Sequence, residues 1–139
     1  MSTEENKTIV RRFIEELDKG NLAVIDELLS PNFVDHNPDP GQHSAFELWK
    51  QVNEQATAAF SNVHTTIHHL LAEGDKVVVH ATSTGTHTGE FMGKPPTGKQ
   101  LSQTTIRIYR IADGKIVENW DDVGLQKDFD QFFPSEPVH

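Results

Sequence analysis

The spacing of apolar residues changes at Val63, and this change constrains the fold more than any other feature of the chain. Before Val63, apolar side chains recur every three or four residues, which is the period of an amphipathic helix. After it, Val, Ile, Thr and Tyr dominate segments that are separated by glycine-containing turns, as in β-strands. Helices followed by a run of strands predict an α+β domain in which the helices cover one face of a curved antiparallel sheet.

The N-terminal part predicts three helices. The first follows Thr3-Glu4-Glu5, whose side chains suit a helix start, and the second is short because Pro31 prevents its continuation. Ser44 and Glu47 have the spacing of a capping box and predict the start of the third and longest helix. A short strand from Phe33 to His36 and a proline-rich loop are expected between the second and third helices.

The remainder of the chain predicts two hairpins and a last helix. The predicted strands are His64–Leu71, Lys76–Thr86, Leu101–Ile111 and Lys115–Val123. Turns centred on Gly74 and on Asp113-Gly114 join them in pairs. Apolar residues from Leu125 to Phe133 predict a short amphipathic helix. We therefore expect one domain over residues 1–134 and a short tail over residues 135–139.

Charge and cysteine content narrow the classes of partner. Twelve Lys and Arg stand against 21 Asp and Glu, which gives a formal net charge of −9. Such a field repels phosphate backbones, so a nucleic-acid partner is not expected. The chain has no cysteine, its polar N-terminus does not resemble a signal peptide, and no segment is apolar enough to span a bilayer. These features predict a cytoplasmic protein without a membrane partner.

Two further patterns suggest a phosphate-binding loop and a metal site, but the residue types and their spacing do not support either. Gly93–Gln100 has the glycine and lysine spacing of a phosphate-binding loop, but Gln100 replaces the Ser or Thr that would bind magnesium. Among the eight histidines, His64, His68 and His69 are the closest group in sequence. Regular strand alternation places His69 on the face opposite His64 and His68, so these residues do not predict a metal site.

The acidic pair near the end of the last predicted strand is the more informative group. Regular alternation places Val117, Asn119 and Asp121 on one face of that strand, and Glu118, Trp120 and Asp122 on the other. Only one of the two aspartates can therefore face the interior, and alternation does not say which. A carboxylate in an apolar hollow could remove a proton from carbon next to a carbonyl and return it to oxygen.

A series of motifs resembles a known family. The matching segments, in order, are Asp35–Pro38, Ala72–Val79, Gly85–Phe91, Gly93, Pro95–Lys99, Ala112–Glu118 and Trp120. With these segments the chain resembles the SnoaL-like polyketide cyclase family, within the NTF2-like fold superfamily. The resemblance covers nearly the whole chain. It implies an α+β cone with a pocket between sheet and helices, and a homodimer through the open sheet face.

The resemblance also implies a chemistry. The characterised cyclases of this family close a ring by intramolecular aldol condensation, without metal or organic cofactor, and use a pocket aspartate as acid/base. That carboxylate lies directly after the residue matching Trp120 or four positions on, where this chain has Gly124. Asp121 is therefore the first candidate and Asp122 the second. His36 would polarise the substrate carbonyl or orient the acid.

We expect the pocket to hold a small apolar carbonyl compound. The residues expected to line it are Phe33, Trp49, His80, Asn119 and Trp120. Two functions remain open at this point, a cyclase that uses Asp121 or Asp122 with His36, and a non-catalytic protein that binds a hydrophobic metabolite. An aspartate and His36 that face one enclosed space would favour catalysis, whereas acids turned to solvent would favour binding.

Overall fold

A computed structural model describes residues 2–36, 45–91 and 93–121 of the chain. The helices are α1 (Thr3–Asp18), α2 (Ala23–Leu28) and α3 (Ala45–Ala59), and the strands are β1 (Leu29–Asp35), β2 (Phe60–Glu73), β3 (Lys76–His87), β4 (Gln100–Ala112) and β5 (Lys115–Asp121). The three predicted N-terminal helices and both hairpins are confirmed. The predictions for the proline-rich loop, the Ser44 cap, Asp122, the helix Leu125–Phe133 and the tail lie outside the described residues.

The start of α1 shows how the local sequence determines a helix end. Ser2, rather than Thr3, is the N-cap: its Oγ accepts a hydrogen bond from the backbone N–H of Glu5 at 3.1 Å. The Glu5 side chain bonds back to the Ser2 backbone, which completes a capping box. Glu4 and Glu5 in the first turn also complement the helix dipole.

The five strands form one open sheet in the order β1-β5-β4-β3-β2. Three of its pairings are antiparallel, but β1 pairs with β5 in parallel, so the prediction of a purely antiparallel sheet was wrong in this part. The short strand predicted near Phe33 is longer and forms the edge of the sheet. Pro31 is tolerated there because β1 is an edge strand whose pairing is interrupted between Leu29 and Val34.

The helices pack on one face of the sheet, which we call the inner face, and leave the opposite, outer face uncovered by any described helix. The buried sheet residues of the inner face include Phe33, Val77, Val79, Ala81, Tyr109 and Ile111. They pack against Val10 and Phe13 of α1 and against Trp49 of α3. The α+β cone-type fold is confirmed, with a curved sheet that is not closed.

A bulge in β2 changes which histidines share a face. Ile67 pairs with Ala81 and His69 pairs with His80, so the register shifts by one residue at His68. His69 therefore lies on the outer face together with His80, and His68 bonds Thr82 on the same face. The predicted separation of His68 from His69 was wrong, because strict alternation does not hold through a bulge.

The outer face also carries three large apolar side chains that are exposed, Val34, Leu71 and Ile106. Within the described ranges, no helix has both the length and the apolar character that crossing a membrane requires.

Candidate active site

Strand β5 divides the predicted site residues between the two faces of the sheet. Asn119 is fully buried, and the Asp121 side chain is only 4% exposed, which places both on the inner face. Glu118 and Trp120 alternate with them and lie on the outer face. The predicted alternation is confirmed for these four residues, and the structure adds that the face of Asp121 is the one covered by helices.

Arg107 and Asn119 both donate hydrogen bonds to the carboxylate of Asp121. Arg107 of β4, the cross-strand neighbour of Asp121, approaches its Oδ2 with Nη1 at 3.0 Å. Asn119 Nδ2 donates to the same oxygen at 3.2 Å. Hydrogen bonds between charged groups are roughly twice as strong as neutral ones, so this carboxylate has a defined position rather than a mobile one.

Asp35 extends this arrangement to β1 and α3. Its Oδ1 accepts a hydrogen bond from Asn119 Nδ2 at 3.2 Å, and its Oδ2 accepts one from Trp49 Nε1 at 2.8 Å. The parallel pairing of β1 with β5 sets Asp35 opposite Asn119. We call Asp35, Trp49, Arg107, Asn119 and Asp121 the inner network. Sequence reasoning missed Asp35, although Phe33 two positions earlier marks the same face of β1.

Aromatic groups surround the inner network. The ring of Trp49 packs edge-on against Phe33 at 5.0 Å between centroids, and the guanidinium of Arg107 lies 5.6 Å from the Trp49 centroid. Burial raises the pKa of Tyr109, and the negative charges of Asp121 and Asp35 raise it further, against an opposing effect of Arg107. Tyr109 therefore remains a neutral hydroxyl beside the two carboxylates.

His36 lies on the other side of the sheet. Its Nε2 is 2.6 Å from Glu118 Oε2, and its ring stacks on Trp120 at 4.5 Å with an interplanar angle of 1°. Arg110 donates to the other oxygen of Glu118. We call His36, Arg110, Glu118 and Trp120 the outer network. The hydrogen bond that Glu118 accepts from His36 lowers the pKa of Glu118 most, and the hydrogen bond from Arg110 is the second largest cause.

These positions correct three expectations. His36 and Asp121 do not converge, because alternation along β1 turns His36 outward when Asp35 faces inward. Trp120 is on the outer face for the same reason on β5. His80 also points outward, where its Nδ1 is 3.1 Å from His69 Nδ1. Among the predicted lining residues, Phe33, Trp49 and Asn119 are on the inner face. No group of three or more possible metal ligands forms within the described part of the chain.

A pocket lined by Asn6, Gly74, Asp75 and Ala112 lies beside the hairpin turns, at the end of β5 remote from Asp121. It holds none of the residues of the inner network. The chemistry available to the inner network is that of a buried carboxylate with a cationic partner and two aromatic neighbours. Such a group can take up and return one proton in surroundings with little water.

Comparisons with known proteins agree with the observed fold. The family model described as SnoaL-like polyketide cyclase matches residues 7–131. An aklanonic acid methyl ester cyclase of Streptomyces sp. (strain C5) is 28% identical over 121 residues, covering 81% of this chain and 72% of that protein. A nogalonic acid methyl ester cyclase of Streptomyces nogalater is 27% identical over 112 residues, covering 78% and 82% of the two chains.

Two solved structures are similar over most of their length. AclR of Streptomyces galilaeus, for which a hydroxylase activity has been suggested, has a TM-score of 0.79 and 30% identity, covering 98% of this chain and 87% of its own. IdmH of Streptomyces antibioticus, suggested to be a polyketide cyclase, has a TM-score of 0.71 and 31% identity, covering 84% and 89%.

Proposed function

This chain belongs to the SnoaL-like polyketide cyclase family, and from that premise we propose that it closes a ring in a small, largely apolar carbonyl compound by intramolecular aldol condensation. Asp121 is the acid/base of the proposed reaction, and no cofactor takes part. The observation that carries the proposal is the position of the Asp121 carboxylate, which is 4% exposed on the helix-covered face and bonded by Arg107 and Asn119. A cyclase-type substrate would lie in a hollow between this face and the helices, against Phe33 and Trp49.

The reaction requires one proton to be moved twice. The Asp121 carboxylate removes a proton from the carbon next to a carbonyl, and the electron pair of the broken C–H bond forms an enolate. The enolate carbon attacks a second carbonyl carbon of the same molecule, which forms the C–C bond of the ring and leaves an alkoxide. The protonated Asp121 then returns its proton to that oxygen, so the product is an isomer of the substrate. Well-positioned proton transfer of this kind contributes about 10²–10⁴ in rate.

Arg107 and Asn119 have separate parts in this scheme. The guanidinium of Arg107 supplies a counter-charge for the carboxylate before the proton is taken up. Asn119 fixes the direction of the carboxylate, so that the oxygen which meets the substrate is presented in one orientation. His36 has no part in the scheme, because its ring is on the outer face against Trp120.

The test uses the methyl esters named for the two relatives, aklanonic acid methyl ester and nogalonic acid methyl ester, as probes. We expect the wild-type protein to cyclise at least one of them, and Asp121→Asn to lower kcat by about 10²–10⁴ while the ester still binds. Asp26→Asn, at an exposed ion pair with Lys50, is the matched control and should retain wild-type kcat.

Full turnover by Asp121→Asn would refute the role of Asp121. If Asp122→Asn were the inactive variant instead, Asp122 would be the acid/base. Tight binding of both esters without turnover by the wild type would favour the alternative function, a non-catalytic binding protein for a small hydrophobic metabolite.

We also propose that two copies associate through the outer face. The side chains of Leu71 on β2 and Ile106 on β4 are 62% and 46% exposed, and contact with a second copy would remove this apolar surface from water. Light scattering should give a dimer mass for the wild type and a monomer mass for Ile106→Glu. A monomer mass for the wild type at micromolar concentration would contradict the proposal.

A further inference from the structure

We propose that Asp35 is a positioning residue, which acts on Asp121 by fixing the orientation of the Asn119 amide. The inference rests on the proposed function of Asp121, which it deepens. Both hydrogen bonds of the Asn119 amide nitrogen go to carboxylates, one to Asp35 Oδ1 and one to Asp121 Oδ2, each at 3.2 Å. The amide therefore bridges two acids that belong to different strands.

The second oxygen of Asp35 explains why this acid is itself fixed. Its Oδ2 accepts the indole N–H of Trp49 at 2.8 Å, and Trp49 is held on α3 by edge-on packing against Phe33. Trp49 of α3 thus fixes Asp35, Asp35 fixes the Asn119 amide, and Asn119 fixes Asp121; we call this sequence of contacts the order of support. Each step is a hydrogen bond between part-buried side chains.

The amide oxygen of Asn119 shows that neighbouring residues determine the orientation of the Asn119 side-chain amide. This buried Oδ1 has no hydrogen-bond partner among the described residues, which is an unfavourable state for an acceptor. The opposite orientation would direct Oδ1 at two carboxylates, which would repel it and leave the N–H groups without acceptors. The two charge-assisted bonds to Asp35 and Asp121 therefore determine the observed orientation.

Removing the charge of Asp35 should make the opposite orientation of the Asn119 amide the more stable one. In Asp35→Asn the introduced amide keeps an oxygen for Trp49 and gains N–H groups that can donate to Asn119 Oδ1. Donation to Oδ1 favours the opposite orientation of the Asn119 amide. Asp121 then loses one of its donors and faces an oxygen in its place, so its carboxylate is no longer held in the orientation that the proposed reaction needs.

The first readout is the amide of Asn119 itself, measured by ¹⁵N–¹H NMR on the complete chain without substrate. In the wild type, both side-chain N–H protons should be shifted downfield and protected from solvent exchange by their carboxylate acceptors. Asp35→Asn should remove this protection, whereas Glu118→Gln on the outer face should leave it unchanged. Unchanged Asn119 signals in Asp35→Asn would refute the proposal, whatever the enzyme activity is.

The second readout is a double-mutant cycle in kcat on aklanonic acid methyl ester. Asp35→Asn should lower kcat about 10–100-fold with KM changed less than about twofold, and should have no further effect when Asn119 is already Ala. Independent effects that multiply in the double variant would show that Asp35 does not act through Asn119. A wild type inactive on this ester would refute only the proposed function, since the NMR experiment still decides the role of Asp35.

Trp49→Phe provides a second route if Asp35→Asn does not fold. It removes the indole N–H and keeps an aromatic ring, so Asp35 retains its bond to Asn119 but loses its anchor on α3. We expect partial loss of protection at the Asn119 amide, smaller than in Asp35→Asn. Full protection in Trp49→Phe would contradict the proposed order of support.

Discussion

The two faces of strands β4 and β5 carry similar residues in different surroundings. On the inner face Asp121 pairs with Arg107, and on the outer face Glu118 pairs with Arg110. Asn119 is a further polar partner of Asp121 on the inner face, and His36 is a further polar partner of Glu118 on the outer face. The carboxylate side chains are 4% exposed for Asp121 and 20% exposed for Glu118, and only the inner one lies beneath helices.

An acid, an arginine and an aromatic ring on neighbouring strands therefore do not by themselves define an active site. In a single copy of the chain, water reaches the partly exposed side chains of the outer network and screens their charges, so the pairing of Glu118 contributes only a small stabilisation. The inner network lies in surroundings of lower dielectric, where a charge without its partner is costly. The same low dielectric strengthens the action of a positioned carboxylate on a substrate.

The largest difference between the faces should appear when the arginines are removed. Arg107→Met removes the cation that pairs with the buried carboxylate of Asp121, which should cost about 3–5 kcal/mol of unfolding free energy. Arg110→Met exposes Glu118 to water on the outer face and should cost only a small fraction of that. Urea unfolding of the two variants beside the wild type measures both effects. Equal losses would show that the two faces do not differ in their electrostatic surroundings.

A smaller effect is expected from the pH dependence of the outer network. The folded protein holds the pKa of Glu118 below its ordinary value, through the hydrogen bond from His36 first and Arg110 second. A lowered carboxyl pKa stabilises the fold above the ordinary glutamate value of about 4.3, and this stabilisation is lost as the pH falls through the folded pKa. The Tm difference between wild type and Glu118→Gln should therefore be greatest near neutral pH and shrink in acid.

Thermal unfolding of both proteins between neutral pH and pH values below the ordinary glutamate pKa checks this sign. A Tm difference that grows as the solution becomes more acidic would contradict it, because the bonded carboxylate would then not be the stabilising form.

The sequence predicted those parts of the fold that depend on local spacing. Apolar periodicity placed α1 and α3, and alternation along β5 correctly put Asn119 with Asp121 and Glu118 with Trp120. The sequence did not show whether the helices cover the face of Asn119 and Asp121 or the face of Glu118 and Trp120. The covered face depends on how the strands are arranged in the sheet. The family resemblance supplied Asp121 as the first candidate, and its burial is a finding of the structure.

The sequence did not predict the positions of Asp35 and His36, because these depend on strand pairing between distant parts of the chain. The parallel contact of β1 with β5 joins residues more than 80 positions apart, such as Asp35 and Asn119, and no local pattern marks it. That contact brings Asp35 into the inner network and turns His36 outward. Alternation also does not predict the bulge at His68. This one extra residue in β2 places His69 on the opposite face from the one that regular alternation gives.

We propose that catalysis takes place on the inner face, and a turnover assay on two variants distinguishes the two faces. The turnover of aklanonic acid methyl ester is measured for Asp121→Asn and His36→Gln beside the wild type. We expect Asp121→Asn to lose about 10²–10⁴ in kcat, whereas His36→Gln stays within about twofold of the wild type. A loss in His36→Gln as large as that in Asp121→Asn, or full activity in Asp121→Asn, would contradict it.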